Sequence, residues 1–179
     1  MIKKKIYSWK DIETMCVSIV NQMYKDNWIP NYIVGITRGG NVPATIISNM
    51  TGIRCESLKV SLRDDDANSS ESNCWMAEDA FGYPGQDSGG QGKNILIVDD
   101  INDTGATFNW IKKDWQEACL PNSTEWNTVW GNNVRWAVLT DNLASKFEHK
   151  INYTCDEVNK AEEDVWLVYP WENVGEYHA

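Results

Sequence analysis

Apolar residues along the chain recur at helical spacing in three places. Ser8, with Asp11 three residues later, resembles the capping box that begins many helices. The apolar residues that follow predict an amphipathic helix over residues 9–27; they are Ile12, Met15, Cys16, Ile19, Val20 and Met23. A second helix is predicted from Pro43, which suits a first helical turn, to about Met50. A third is predicted from Gly105 to Cys119.

Short runs with a strand-like pattern lie between and after these helices. The predicted strands lie within residues 32–36, 55–62, 94–99, 134–140 and 164–172, and the strand in the last stretch ends at Pro170. Largely apolar strands that alternate with helices are typical of a parallel sheet covered on both faces. The pattern therefore predicts an α/β fold with a mainly parallel sheet flanked by helices, in a single domain over residues 1–179.

The segment from Arg63 to Lys93 breaks the pattern. It is polar, rich in Gly, Ser and Asp, and too long for an ordinary connection. Such a segment is either a mobile surface loop or a lid over a binding site. Trp75, Met76 and Phe81 give it apolar side chains with which to dock. We therefore predict a mobile loop at 63–92 with a role at the site.

Composition and charge narrow the classes of partner. The 179 residues include 16 basic and 26 acidic ones, a net charge of −10 that disfavours broad nucleic-acid binding. No apolar run approaches the roughly 18 residues that span a bilayer, and the lysine-rich start has no apolar stretch behind it. Five scattered cysteines are typical of a reducing compartment. We expect a cytoplasmic protein without nucleic-acid or membrane partners. Exposed members of its ten tryptophans favour a homo-oligomer, a dimer or tetramer.

The stretch "NILIVDDINDTGAT", residues 94–107, carries the strongest chemical signal. A buried strand runs directly into three carboxylates, Asp99, Asp100 and Asp103, and then into small residues that begin a helix. Ligands of open α/β sheets bind outside the carboxyl ends of the strands. Backbone N–H groups at a helix start bind anions, while the carboxylates accept hydrogen bonds from hydroxyls or ligate a metal. One turn thus offers both features needed to bind a phosphorylated sugar.

This stretch resembles the signature of the type I phosphoribosyltransferases, which bind 5-phosphoribosyl-1-diphosphate (PRPP). "GITRGGNVPA", residues 35–44, is similar to the pyrophosphate loop of that family, and "VSLRD", residues 60–64, also agrees with it. "VWLVYPWE", residues 165–172, resembles the base-binding segment of bacterial xanthine-guanine phosphoribosyltransferases and related small purine enzymes. "SLRD" together with "NDTGATFNWIKKDW" also looks like purine-type enzymes of cyanophages. The resemblance implies the type I fold with a small C-terminal hood.

The resemblance implies roles for the residues that bind the sugar phosphate. Asp99 and Asp100 would hold the ribose hydroxyls, with Asp100 also beside Mg²⁺. Asp103 would be the catalytic residue beside N7 of the purine. The 5-phosphate would be wrapped by Thr104, Gly105, Ala106 and Thr107.

The resemblance also implies where pyrophosphate and the base bind. The pyrophosphate site would consist of Thr37, Arg38, Gly39 and Gly40. Trp166 would stack on the base, and the backbone of Leu167 would contact its edge. The reaction implied is transfer of the phosphoribosyl group from PRPP to a 6-oxopurine in purine salvage.

Two departures from the family pattern concern base selection. The purine enzymes usually carry a lysine soon after the strand that matches "WAVLT", where it contacts the 6-oxo group. Here Asp141, Asn142 and Leu143 occupy that region, and Lys146 comes later. The Asn142 amide is the expected substitute, although an amide both donates and accepts. Arg63 is the nearest candidate for the basic residue of the mobile loop.

Three functions remain open at this point. The leading one is a 6-oxopurine phosphoribosyltransferase. The second keeps PRPP but uses another nitrogen base, against which "VWLVYPWE" argues. The third is a non-catalytic regulator that senses PRPP, because fold alone does not determine function; the charge of −10 counts against the nucleic-acid surface it would need.

Overall fold

The computed structural model describes residues 2–60, 62, 74–82 and 91–172, which fold around a five-stranded parallel sheet. In chain order the elements are β1 (Lys3–Ile6), α1 (Trp9–Lys25), β2 (Tyr32–Thr37), α2 (Asn41–Thr51), β3 (Cys55–Lys59), α3 (Cys74–Phe81), β4 (Ile95–Asn102), α4 (Ala106–Ala118), β5 (Val134–Asn142), β6 (Tyr153–Val158) and β7 (Val165–Val168). Two 3-10 helices cover Thr124–Thr128 and Pro170–Glu172.

The sheet has the strand order β3-β2-β4-β5-β6, and every pairing in it is parallel. The chain therefore starts in the sheet at β2, moves outward to β3, and returns to the other side of β2 for the remaining strands. In such doubly wound sheets the ligand binds where the winding direction reverses. That point lies between the carboxyl ends of β2 and β4, whose Gly35 and Val98 are paired.

Helices cover both faces of the sheet, as the alternating pattern predicted. One hydrophobic cluster joins α1 and α2 to one face and contains Ile12, Ile19, Ile47, Leu96, Val98 and Leu139. The other joins α3 and α4 to the opposite face and contains Met76, Phe108, Ile111, Trp115, Trp126, Trp130 and Trp136. Many of the tryptophans therefore contribute to the core, where large aromatic side chains bury the most apolar area.

The C-terminal hood consists of a second, two-stranded parallel sheet. β1 pairs with β7 in the register Lys4 to Trp166 and Lys5 to Leu167. Tyr169, just after β7, stacks on Tyr7 with ring centroids 5.1 Å apart. β1 was not predicted because three of its four residues are lysines and none of the four is buried, whereas Val165 and Leu167 of β7 are.

The helix α1 begins as its sequence predicts. The Ser8 side chain accepts from the Asp11 N–H at 3.1 Å, and the Asp11 carboxylate accepts from the Ser8 N–H at 2.8 Å. The two bonds satisfy backbone donors that have no partner within the helix. The apolar stripe that follows is buried against the sheet.

The segment predicted as a loop contains a packed helix, and that part of the prediction was wrong. In α3, Met76, Ala77 and Ala80 are buried in the core. Asp79 is buried too; it accepts a hydrogen bond from Tyr32 at 2.9 Å and pairs with Lys93 at 3.2 Å. Eight residues between polar stretches give too short a periodic signal to detect. Positions 63–73 and 83–90, with Arg63 among them, lie outside the described residues.

Several strand boundaries also differ from the prediction; β3, for example, ends at Lys59 and not at residue 62. β4 continues to Asn102, so that Asp100 lies within the strand rather than beyond its predicted end at residue 99. β5 ends at Asn142, and β7 is only the short run Val165–Val168. β6 was missed because half of its residues, "YTCDEV", are polar and two are acidic, as suits an edge strand. Within the described residues no helix is long and apolar enough to cross a membrane.

Candidate active site

Two turns meet at the reversal point of the sheet. One follows β2 and carries Thr37 to Gly40; the other follows β4 and carries Asp103 to Thr107. Gly39 lies directly against Asp100, since a Cβ at Gly39 would be 2.1 Å from the Asp100 Oδ2. The two motifs found separately in the sequence are therefore neighbours across the sheet edge.

Asp99 and Asp100 form a partly buried acid pair. The Asp100 N–H donates to the Asp99 carboxylate at 2.9 Å, and the Ile101 N–H donates to the Asp100 carboxylate at 2.8 Å. Burial raises the pKa of both carboxyl groups, and the neighbouring charge of Asp100 raises the pKa of Asp99 further. Both groups therefore gain from a ligand that donates hydrogen bonds or carries positive charge.

The turn after the acid pair is shaped to surround an anion. Gly105 adopts a left-handed conformation, with φ of +89°, and a Cβ there would be 2.2 Å from the Phe147 nitrogen. The helix α4 starts at the next residue, so the first N–H groups of that helix face the turn without intrahelical partners. Residues 99–108 line one pocket. A phosphate in it would be favoured by these donors and by the helix dipole.

The connection after β5 supports this turn from behind. The Lys146 N–H donates to the Thr104 carbonyl at 2.8 Å, and the Asn109 side chain donates to the Lys146 carbonyl at 3.0 Å. The Ser145 hydroxyl donates to the Asn102 side chain at 3.1 Å. Ser145 and Lys146 thus fix the turn between β4 and α4 to the connection that follows β5.

The turn after β2 presents an exposed arginine. The side chain of Arg38 lies on a pocket that it shares with Gly39, Val42, Asp100, Trp171 and Glu172. The peptide bond between Thr37 and Arg38 is cis. The Thr37 hydroxyl accepts from the Asn41 side chain at 3.1 Å, which fixes the end of the strand to the start of α2. Trp171 and Glu172 line this pocket although the sequence pattern predicted no role for them.

Asp103 lies between an amide and an ammonium group. The Asn142 side chain donates to the Asp103 carbonyl at 2.9 Å and to its carboxylate at 3.4 Å. The Lys160 Nζ is 2.9 Å from the Asp103 Oδ1, and the Asp103 side chain is 44% exposed. Lys160 was not found from the sequence, because it lies far along the chain in the connection between β6 and β7.

Asn142 is held in a way that argues against its predicted contact with the base. Its side chain is buried, and its carbonyl oxygen accepts from the Ala144 N–H at 3.2 Å and from the Lys160 N–H at 3.0 Å. Together with the two bonds to Asp103, these use both amide hydrogens and both carbonyl lone pairs. The amide therefore positions Asp103 and Lys160 and has nothing left to offer a base.

Trp166 is exposed on the hood. Its side chain is 55% exposed, and Lys4 of the paired strand lies 4.6 Å from its ring centroid. The next residue, Leu167, is buried against the core. The hood is joined to the acid pair by Tyr169, whose hydroxyl donates to the Asp100 carbonyl at 3.1 Å. A large exposed aromatic ring with one face toward a cation is free to stack on a flat ligand.

Comparisons with known proteins agree with this arrangement. The family model described as phosphoribosyl transferase domain matches residues 3–171. A xanthine-guanine phosphoribosyltransferase of Cereibacter sphaeroides is 26% identical over 155 residues, covering 85% of this chain and 75% of the relative. A hypoxanthine-guanine phosphoribosyltransferase of Schizosaccharomyces pombe is 25% identical, covering 93% and 87%.

A solved structure of a purine phosphoribosyltransferase from Pyrococcus horikoshii covers 99% of this chain and is itself covered completely. The TM-score is 0.64 at 18% identity, so this likeness concerns the fold.

Proposed function

The chain belongs to the phosphoribosyl transferase domain family, and from that premise we propose that it transfers the 5-phosphoribosyl group of PRPP to a 6-oxopurine. The products are a purine nucleoside monophosphate and pyrophosphate. The observation that carries the proposal is the acid pair Asp99–Asp100 directly before the helix start at Gly105, with the Arg38 turn beside it. The names of the two sequence relatives support a purine as the acceptor.

The phosphoribosyl group binds in the turn after β4. Thr104, Gly105, Ala106 and Thr107 bind the 5-phosphate through backbone N–H groups and hydroxyls. Asp99 and Asp100 accept hydrogen bonds from the ribose 2- and 3-hydroxyls. Desolvated carboxylates with raised pKa values are stabilised by such donors, because each bond favours the charged form.

The pyrophosphate binds at the turn after β2. Thr37, Arg38, Gly39 and Gly40 form this site, and Arg38 provides positive charge at the oxygens where negative charge develops. The missing side chain of Gly39 leaves room for both the Asp100 carboxylate and the leaving group.

The acid pair fits Mg²⁺. Among the described residues no group of three or more acidic, histidine or cysteine side chains converges on one point. Mg²⁺ prefers one or two carboxylates together with phosphate oxygens and water, so a pair suffices when the diphosphate is present. Asp100 holds the ion in this proposal. Mg²⁺ supplies charge stabilisation for the departing pyrophosphate.

The base binds between the hood and Asp103. Trp166 stacks on the purine, the Leu167 backbone contacts its edge, and Asp103 faces N7. As N9 of the base attacks C1 of the ribose, the base loses a proton, and Asp103 accepts it at N7. A carboxylate that is 44% exposed and hydrogen bonded to Asn142 is placed for such a transfer.

The proposal is tested by adding PRPP, Mg²⁺ and one base at a time to the purified protein. The bases are hypoxanthine, guanine, xanthine, adenine, uracil and orotate, and the readouts are pyrophosphate release and chromatography of the nucleotide. We expect product with 6-oxopurines. An Asp99→Asn, Asp100→Asn double variant is the matched control and should give none.

Two results would overturn the proposal. Product only with a pyrimidine would mean another phosphoribosyltransferase. PRPP binding without turnover of any base would mean a regulator that senses PRPP.

A further inference from the structure

We propose that Lys160, in the connection between β6 and β7, selects a 6-oxopurine over a 6-aminopurine by donating to the 6-oxo group. The inference rests on the proposed function and deepens it, because it assigns base selection to a residue outside the motifs. It also accounts for the turn after β5, where the side chains of Asp141 and Leu143 carry no positive charge.

The position of Lys160 is fixed from two directions. Its Nζ is 2.9 Å from the Asp103 Oδ1, and its side chain is only 30% exposed. Its own N–H donates to the Asn142 side chain at 3.0 Å, and that side chain also donates to Asp103. Nearby, the Leu143 N–H donates to the Val158 carbonyl at 2.8 Å. The β6–β7 connection is therefore tied to the end of β5, and the ammonium group is brought to the catalytic carboxylate.

The shape of a purine then places its 6-substituent beside Lys160. N7 and the 6-substituent share one edge of the ring system, which is why a single basic side chain can contact both in guanine. If Asp103 faces N7, the 6-substituent lies next to the Asp103 carboxylate. The Lys160 ammonium group lies at hydrogen-bond distance from the same carboxylate, so the proposal sets the 6-substituent beside it.

The chemistry of the ammonium group gives the selection its direction. A lysine has three donors and no acceptor, so it can keep its bond to Asp103 and donate another to an oxo group. A 6-amino group presents hydrogens on the same side. The ammonium group and the 6-amino group would then face each other as two donors without an acceptor, which disfavours the binding of adenine.

The other polar side chains near Asp103 do not supply this donor. Both hydrogens of the Asn142 amide are used on Asp103. The Asp141 carboxylate accepts from the Asn102 side chain at 2.9 Å and has no proton to donate when ionised. The backbone of Lys146 supports the turn between β4 and α4, and among the described residues its exposed ammonium group makes no ion pair with Asp103, whereas that of Lys160 does.

The experiment compares Lys160→Gln and Lys160→Met with the wild-type protein. Lys150→Gln is the matched control, because Lys150 is an exposed lysine on the β5–β6 connection and its loss changes the net charge equally. The readouts are kcat and KM for hypoxanthine, the Ki of adenine as its competitor, the Kd of PRPP and the thermal midpoint.

We expect kcat/KM for hypoxanthine to fall about 10- to 100-fold in both variants, the scale of a lost charged hydrogen bond. In Lys160→Gln the Ki of adenine should stay the same or decrease, because an amide oxygen accepts from the 6-amino group. The Kd of PRPP and the thermal midpoint should match those of Lys150→Gln.

Two results would overturn the inference while the proposed function stands. The first is unchanged hypoxanthine kinetics in the Lys160 variants. The second is an equal loss of hypoxanthine and adenine binding, which is the result expected if the ion pair of Lys160 with Asp103 is only structural. If the wild-type protein itself forms no nucleotide from any 6-oxopurine, the proposed function fails first. That outcome is visible before any variant is made.

Discussion

The hydroxyl of Tyr169 donates a hydrogen bond to the backbone carbonyl oxygen of Asp100 at 3.1 Å. It also lies 2.9 Å from the Thr140 hydroxyl, which in turn is 3.0 Å from the Tyr7 hydroxyl. Burial raises the pKa of Tyr169, so the phenol remains protonated and keeps its proton for donation. The hood that carries Trp166 is thereby joined to the strand that carries the acid pair.

Replacement of Tyr169 by Phe should therefore weaken the connection between the hood and β4 without unfolding the protein. The stacking on Tyr7 and on Trp171, with centroids 5.1 and 5.0 Å away, stays possible, while the hydrogen bonds to the Asp100 carbonyl and to the Thr140 hydroxyl are both lost. We expect a loss of about 1–3 kcal/mol in the free energy of unfolding, measured by denaturant titration. The KM for PRPP should rise in parallel. Equal stability and an equal KM would show that the bond does not hold the strand.

A methyl group at Gly39 should disturb the acid pair directly. In Gly39→Ala the new Cβ would meet the Asp100 carboxylate, so one of them must shift. Overpacking of this kind costs about 1–3 kcal/mol of unfolding free energy. A double-mutant cycle with Asp100→Ala separates this clash from other causes, since neighbouring side chains are coupled.

In the Asp100→Ala background the same glycine replacement should cost clearly less, because the carboxylate that it meets is gone. Denaturant titration of the four proteins gives the coupling energy. If the cost is the same in both backgrounds, the contact between Gly39 and Asp100 is not the reason that glycine is needed.

Contiguous motifs made much of the site predictable. Fourteen residues of sequence contain β4, the acid pair and the turn from Asp103 to Thr107. Their placement at the sheet edge follows from the parallel topology. The Arg38 turn was predictable for the same reason, since it follows β2. Local structure and strand order are enough to place such contiguous stretches in the fold.

Contacts between distant parts of the chain were not predictable. Lys160 reaches Asp103 only because β6 pairs with β5, and the sequence of β6 is half polar and was not predicted as a strand. The full hydrogen bonding of the Asn142 amide likewise depends on groups from three segments. A sequence pattern indicates that an amide is present but not which partners saturate it.

Replacement of Trp166 should affect the base and leave PRPP alone. Stacking of a base on an aromatic side chain contributes about 1–3 kcal/mol in nucleic-acid sites, so Trp166→Ala should raise the KM of hypoxanthine roughly 5- to 100-fold. Trp166→Phe should keep much of the affinity. Tyr24, which is 44% exposed on α1, provides the control variant Tyr24→Ala. Steady-state kinetics with PRPP held saturating measure the effect, and an unchanged KM in Trp166→Ala would remove the ring from the base site.

Replacement of Asp103 by Asn should separate proton transfer from binding. The amide is similar in size and keeps an oxygen that can accept from Lys160 and from Asn142, so the turn after β4 should retain its geometry. It cannot take a proton from N7, and loss of an acid–base group typically lowers turnover about 10²-fold or more.

We therefore expect a much smaller kcat with an unchanged Kd for PRPP, measured by product formation and by calorimetric titration. Asp26→Asn is a suitable control, because Asp26 is an exposed carboxylate directly after α1, where it accepts from the Tyr153 hydroxyl at 3.1 Å, away from the turn after β4. A near-normal kcat would exclude Asp103 from the chemistry. A loss of PRPP binding would instead make Asp103 a part of the framework that shapes the phosphate turn.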